Sequence, residues 1–249
     1  MTLLSVNLNK VATVRNARNT DYPSMLLAAR TCVDSGAGGI TVHPRPDGRH
    51  TRVADVRSLA AFVRGQLGVE FNVEGNPVPE FIRLVLETHP TQCTLVPDAP
   101  EAMTSDHGWD LQADGQRLLP IIEDLRGAGI RVSLFVDPET GQIARAKELG
   151  ADRIELYTET YARAFASGSL QSELSRFVEA AEEANRVGLG INAGHDLTLE
   201  NVGVFCREVP GVLEVSIGHA LISRALEVGL ARAVKDYRGA IGKGRLHDA

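Results

Sequence analysis

Seven polar side chains sit where runs of alternating apolar residues break off: Asn9, His43, Glu74, Asp137, Thr158, His195 and His219. Imidazoles and carboxylates are the usual carriers of protons near neutral pH. His43 follows Thr41 on an alternating stretch and reads as a proton acceptor or donor, or else as a structural histidine bonded to a nearby loop. Glu74 ends a stretch whose other polar member is Asn72. Partly buried, its carboxyl would be a base with a raised pKa; the competing role is a structural pair with an arginine. His195 comes directly after Gly194, and Asp196 stands where it could cap a following helix. His43, Glu74 and His195, or a set including Asp137, also satisfy the residue types of a facial metal triad. Nothing in their spacing requires one, so no metal is expected.

A second set of residues is suited to anions. The stretches Gly188–Thr198 and Leu213–Ile222 share one plan, a short alternating strand running into a glycine, a histidine and then an expected helix. Glycine permits a tight turn or close ligand approach, and the free N–H groups of a helix start favour an anion. Two such ends side by side would bind phosphate, with His219 at the final helix start as a phosphate or hydroxyl partner or as a plain cap. Arg15 and Arg18 follow the first strand, and Arg45 and Arg49 bracket the loop after the second. Each offers a rigid donor fork for phosphate oxygens, or is an ordinary exposed arginine; their clustering after the first two strands favours a ligand. Two separated basic regions suit substrates carrying two phosphates, and the polar loop Arg45–Arg52 is a candidate lid.

The elements that must position these groups follow from periodicity. Strands are expected at Leu3–Asn9, Gly39–Arg45, Val69–Gly75, Cys93–Pro97, Ile130–Asp137, Arg153–Thr158 and in the two Gly-His stretches. Helices are expected over Tyr22–Ser35, Val53–Gly65, Pro79–Thr88, Gln116–Arg126, Thr140–Leu149 and Leu174–Val187, with a small extra helix before the last of these. A final helix runs from near Ala220 toward Tyr237, and residues from about 238 to 249 read as a flexible tail. Eight strand–helix units favour a single-domain (β/α)8 TIM barrel over residues 1–249 with additional helices. No strand leads into GxGxxG, so a dinucleotide fold has little support. The face assigned to the barrel interior carries Asn7, Thr41, Asn72, Glu155, Asn192 and Ser216, where a structural barrel would carry bulky branched residues. A polar cavity opening at the C-terminal ends of the strands is the expected consequence. There the seven groups named first would converge.

Composition bounds the function. At 249 residues, 43% hydrophobic and 23% charged, the chain has the material for one sizeable core. A net charge of −6 argues against general nucleic-acid binding while leaving room for a local phosphate pocket. Three widely spaced cysteines show no disulfide or metal pattern, and no stretch reaches membrane-spanning length, so a cytoplasmic protein is expected.

The ordered motifs SVNLNKVATVRNAR, GITVHPRPDGRH, EFNVEG, TLVPD, TSDHGWD, RVSLFVD, RIELYT, GINAGHDLT and VSIGHALI cover nearly the whole chain. In them the sequence resembles the PdxJ family of vitamin B6 biosynthesis, with TSDHGWD and NAGHD giving it an alphaproteobacterial flavour. The resemblance implies a TIM barrel assembled as an octamer of four dimers, working without a cofactor. It implies a transferase that condenses 3-amino-2-oxopropyl phosphate with 1-deoxy-D-xylulose 5-phosphate to pyridoxine 5'-phosphate. His43 and Glu74 would be proton acceptors and His195 the proton donor. Asn7, Arg18, Asp196, Gly218 and His219 would serve the amino-ketone phosphate, Arg18 arriving from a neighbouring subunit. Asn9, Lys10, Arg45, His50 and Thr104 would contact the pentulose phosphate. The enterobacterial form has Asp-His in place of Asn9-Lys10, Gly in place of Asp196 and Thr-Gly in place of Thr158-Glu159. A lysine still reaches phosphate but does not titrate as histidine does, and Asp196 could meet a phosphate only through its backbone. Against this stand another phosphate-handling barrel, an isomerase or aldolase, and a non-catalytic sugar-phosphate binder.

Overall fold

The computed structural model describes residues 1–18, 20–98 and 105–243. In chain order the elements are β1 (Leu3–Asn7), α1 (Asn9–Asn16), α2 (Met25–Asp34), β2 (Gly39–Val42), α3 (Val53–Arg64), β3 (Glu70–Gly75), α4 (Pro79–Thr88) and β4 (Gln92–Leu95). They continue as α5 (Leu111–Gly127), β5 (Arg131–Val136), α6 (Thr140–Glu148), β6 (Arg153–Tyr157), α7 (Glu159–Ser167) and α8 (Leu170–Val187). The chain closes with β7 (Gly190–Gly194), α9 (Val202–Glu208), β8 (Val212–Ile217), α10 (His219–Val228) and α11 (Leu230–Lys243). All eight strands pair in parallel and in sequence order, and β8 pairs back onto β1, closing the barrel.

Period-2 alternation divides the strands into two chemistries. Leu4 and Val6, Ile40 and Val42, Phe71 and Val73, and their counterparts around the ring are buried against the helices in one hydrophobic core. That core supplies the driving force of the fold, at roughly 25 cal/mol for each Å² of apolar surface removed from water. The helices meet it with one face each. On α8 the buried set is Leu174, Phe177, Ala180, Ala181 and Ala184, a helical spacing that puts Phe177 edge-on to Tyr161 and Phe205.

The alternate strand residues fill the interior with polar groups. Thr94 on β4 donates to Asn72 on β3 at 3.0 Å, and its hydroxyl lies 3.3 Å from the Glu155 carboxyl on β6. Asn192 on β7 reaches across to Gln92 on β4 at 3.3 Å. Bonds between strands that are not neighbours can only cross the barrel. Below them Arg131 holds Glu70 with two bonds at 2.6 and 3.0 Å, which seals the N-terminal end with an ion pair.

Several boundaries differ from expectation for local reasons. β1 stops at Asn7 because that side chain accepts from the Asn9 N–H at 3.0 Å and turns the chain into α1, a helix in the segment expected only to be basic. α5 starts at Leu111, five residues before Gln116, because Asp110 caps it by accepting from the N–H groups of Gln112 and Ala113. The last helical stretch is two helices separated at Gly229, and α11 continues to Lys243. The segment 238–243, expected as flexible tail, is therefore helical: Val234, Tyr237 and Ile241 recur at helical spacing and are all buried. Residues 244–249 lie outside the described residues.

Candidate active site

The C-terminal ends of the strands enclose a cavity of about 670 Å³. Of the thirteen site residues expected from sequence, eleven line it: Asn7, Asn9, Lys10, His43, Arg45, His50, Glu74, His195, Asp196, Gly218 and His219. Arg18 does not; it sits exposed beyond the end of α1. Thr104 lies outside the described residues.

The β1–β3 side of the cavity is a connected polar frame. Asn9 Oδ1 accepts from the His43 backbone N–H at 2.9 Å and from the Thr51 hydroxyl at 3.0 Å, tying together the ends of β1 and β2 and the loop after β2. Glu74 receives weak donors on both oxygens, Asn7 at 3.4 Å and Asn72 at 3.4 Å, and lies 4.0 Å from His43 Nδ1. Burial, with Arg45, His50 and Arg49 nearby, lowers the His43 pKa to about 3, so the ring is neutral. Burial and the neighbouring Glu155, Asp98 and Glu214 hold the Glu74 carboxyl well above the usual carboxylate range, opposed by Arg45. One residue is thus kept as an uncharged acceptor and the other as a group that binds its proton tightly. Below them the same desolvation raises Glu155 to about 8 and Glu214 to about 7.

Arg45 is buried and paired to Asp98 at 2.6 Å, and Asp98 also accepts from Ser105 at 2.7 Å. Arg45 Nε and Asp98 Oδ1 have no hydrogen-bond partner among the described residues, so the pair keeps capacity for a ligand or water. Burial, with Lys10, Arg45 and Arg49 nearby, lowers His50 to about 4. Asn16 fixes the backbone around it, its amide donating toward the carbonyls of Gly48 (3.1 Å), Arg49 (3.1 Å) and His50 (2.8 Å). Arg15, an expected anion handle, is instead spent on structure, holding Asp55 at the start of α3 with bonds of 2.5 and 2.9 Å.

The β7–β8 side is built on unusual backbone. His195 and Asp196 have φ of 81° and 59°, a region that side-chain-bearing residues seldom enter. Thr158 at the end of β6 holds this turn, donating to the carbonyls of Gly194 (2.8 Å) and His195. Gly194 is required for a further reason, since a Cβ there would lie 2.4 Å from Glu155 Oε1. His195 Nδ1 lies 2.8 Å from Asp196 Oδ2, and that bond leads the influences holding Asp196 below the ordinary carboxylate pKa. Asp196 therefore orients His195 and does not cap a helix; α9 begins only at Val202, preceded by Asn201. On β8 the Gly-His plan is as expected. α10 starts at His219, and a Cβ on Gly218 would press on Asn7 at 3.1 Å, so glycine brings the helix start up to β1. Gly218, His219 and Ala220 at this helix start line the cavity, a place for an anion.

Two structural groups were legible only in part. Asp137, expected at the mouth, accepts from the Gly108 N–H at 3.1 Å, and Trp109 Nε1 donates to the Leu95 carbonyl at 2.8 Å, so the SDHGW segment is pinned across β4 and β5. Phe135 and Tyr157 line the cavity and were not anticipated, although alternation puts them on the same strand faces as Ser133 and Glu155. Among the described residues no three His, Cys, Asp or Glu side chains gather as a metal site.

The comparisons with known proteins show the family. The family model "Pyridoxal phosphate biosynthesis protein PdxJ" matches residues 4–243. A pyridoxine 5'-phosphate synthase of Xanthomonas axonopodis pv. citri is 54% identical over 243 residues, 95% of each chain. One of Bacteroides fragilis is 50% identical over 241 residues, covering 97% of this chain and all 100% of that one. These relatives are not alphaproteobacterial, so the alphaproteobacterial flavour expected from the motifs is corrected. Among solved structures, the tryptophan synthase alpha subunit of Legionella pneumophila superimposes with a TM-score of 0.63 at 16% identity, covering 97% of this chain and 93% of that one. That likeness concerns the barrel alone.

Proposed function

The chain belongs to the PdxJ family, and from that premise we propose that it is a pyridoxine 5'-phosphate synthase. It condenses 3-amino-2-oxopropyl phosphate with 1-deoxy-D-xylulose 5-phosphate and closes the pyridine ring, releasing phosphate and water. The observation that carries this reading is the meeting of His43, Glu74 and His195 around one cavity, with cationic or helix-end anion sites on either side.

The amine and ketone first join as an imine, with loss of water. Glu74 then takes a carbon-bound proton to give an enamine. Burial holds its pKa well above the ordinary carboxylate range, so the carboxylate, paired with an arriving ammonium or iminium, is a strong base that takes up the carbon-bound proton. His43, kept neutral by burial and the arginine beside it, accepts protons from hydroxyl or amine groups. His195, oriented through Nδ1 by Asp196, turns its other ring nitrogen to proton donation toward departing oxygens. Arg45, His50, Lys10, Asn9 and Thr104 take the pentulose phosphate. Asn7, the Gly218–His219 helix start and the Asp196 backbone take the amino-ketone phosphate. Arg18 completes that site from a neighbouring subunit, which accounts for its exposed position away from the cavity of its own chain. The assembly is an octamer of four dimers. The cysteines Cys32, Cys93 and Cys206 are free and buried, which supports a reducing, cytoplasmic setting.

The test is to give the purified protein both substrates and follow pyridoxine 5'-phosphate and phosphate release together. Both should appear in step; a folded protein that yields neither sinks the assignment. Light scattering tests the octamer.

A further inference from the structure

The cavity mouth is divided between two kinds of surface. At the C-terminal ends of β1, β2 and β3 the inward side chains are Asn7, His43, which directly follows β2, and Glu74. On β5 and β6 the corresponding positions, two residues above Ser133 and Glu155, are Phe135 and Tyr157, and Val96 follows β4 beside them. These three pack into an apolar cluster separate from the core between strands and helices. Phe135 and Tyr157 have ring centroids 5.3 Å apart at 51°, and Tyr157 meets the ring of His195 at 5.3 Å and 72°.

A cavity otherwise lined largely by charged and hydrogen-bonding groups has little use for an aromatic wall when its ligands are open-chain phosphates. Such molecules are hydroxylated or ionic along most of their length and offer few apolar faces. A pyridine ring offers two. We propose that the Val96–Phe135–Tyr157 wall is the seat of the pyridine ring as it closes, an inference that rests on the synthase reading. The wall then gains contact only as the substrates lose water and phosphate and flatten, so it favours the late, ring-shaped species over the starting pair. The edge contact of Tyr157 with His195 places the proton donor at the rim of that platform, with Glu74 and His43 on the β2–β3 side of the same mouth.

The experiment is calorimetric titration of the full-length protein with pyridoxine 5'-phosphate and, separately, with glycerol 3-phosphate, which carries the phosphate without a ring. Phe135→Ala should weaken pyridoxine 5'-phosphate about tenfold and leave glycerol 3-phosphate within about twofold. Phe135→Leu, which keeps most of the packing volume, should fall between wild type and Phe135→Ala and carries the test if the alanine variant does not fold. Equal losses for both ligands, or no loss for either, overturn the wall. Turnover by the wild type separates the two readings: if ring product forms while Phe135 variants keep full product affinity, only the wall falls. If no ring product forms, the synthase reading falls and the wall loses its ligand with it.

Discussion

His43 and His195 stand at the same cavity on opposite kinds of support. His43 sits just past a regular strand end, buried, its backbone N–H held by Asn9 and its ring desolvated into the neutral form. His195 sits on a left-handed turn, its ring partly exposed and held by Asp196, its backbone held by Thr158. One histidine has its protonation set by burial in a rigid frame; the other has its position set by a turn that only its neighbours stabilise. On the proposed reading, a single residue type is thereby fitted to two roles, accepting protons from a fixed position and delivering them from a less enclosed one.

The largest effect should come from the rigid side. Glu74→Gln keeps size and hydrogen-bonding shape and removes the base, so turnover should fall about 10³-fold with substrate affinity within about threefold of wild type. Single-turnover kinetics with separate binding titrations would measure this, and near-normal turnover would remove Glu74 from the mechanism.

The buried carboxylates beneath that frame predict a pH-dependent stability. Glu155 is raised from 4.5 to about 8, first by burial and then by Glu214. The folded protein holds a proton there that the unfolded chain releases above about pH 4.5. Its stabilising share is therefore complete at low pH and is lost as pH rises from about 4.5 through about 8. Glu155→Gln, which imitates the protonated form, should flatten that decline by an amount on the order of a few kcal/mol. Glu214 and Glu74 are raised as well, so part of the slope should remain. Urea midpoints at pH 5 and pH 8 test this; parallel declines in wild type and variant would rule it out.

How far the sequence disclosed these two sides differs in an instructive way. Alternation alone put Asn72, Glu155 and Asn192 on the inner face, because period 2 is fixed by the strand backbone and survives errors of a residue or two at the ends. The Gly-His pairs gave the β7 and β8 ends for a similar reason: Glu155 blocks a Cβ at Gly194, and Asn7 crowds one at Gly218. Partnerships between distant loops were not legible. Nothing in the local pattern says that Arg15 belongs to Asp55, or Arg45 to Asp98, since both pairs form between segments that only the closed barrel brings together. The exposure of Arg18 was equally hidden, because the segment after β1, expected only to be basic, is a helix that ends before it. The rim aromatics Phe135 and Tyr157 follow from the same alternation, each two residues beyond an inward polar residue, Ser133 or Glu155.

The side built on the left-handed turn should respond more mildly. Thr158→Val removes the hydroxyl that donates to the Gly194 and His195 carbonyls while preserving volume, so the turn at φ 81° loses its tie. Turnover should fall about tenfold with Glu74-dependent proton abstraction, read as hydrogen exchange from the amino-ketone, nearly intact. Equal losses in both readings would mean that Thr158 supports the whole site and not His195 in particular.

The smallest effect should lie at the loop after β2, which divides the same way. Asn16 offers two amide protons to three carbonyls, those of Gly48, Arg49 and His50, so the loop is tethered through its backbone and not packed in place. Asn16→Ala leaves Arg45 paired to Asp98 on the rigid side, frees His50 and its neighbours, and takes one acceptor from Arg15, which keeps its two bonds to Asp55. The KM for the pentulose phosphate should rise about threefold to fivefold, with kcat within about twofold and the amino-ketone KM unchanged, since a net hydrogen bond is worth about 1 kcal/mol. A matching fall in kcat would show that the loop takes part in the chemical step, and that the boundary between fixed frame and movable support lies closer to His43 than the hydrogen bonds place it.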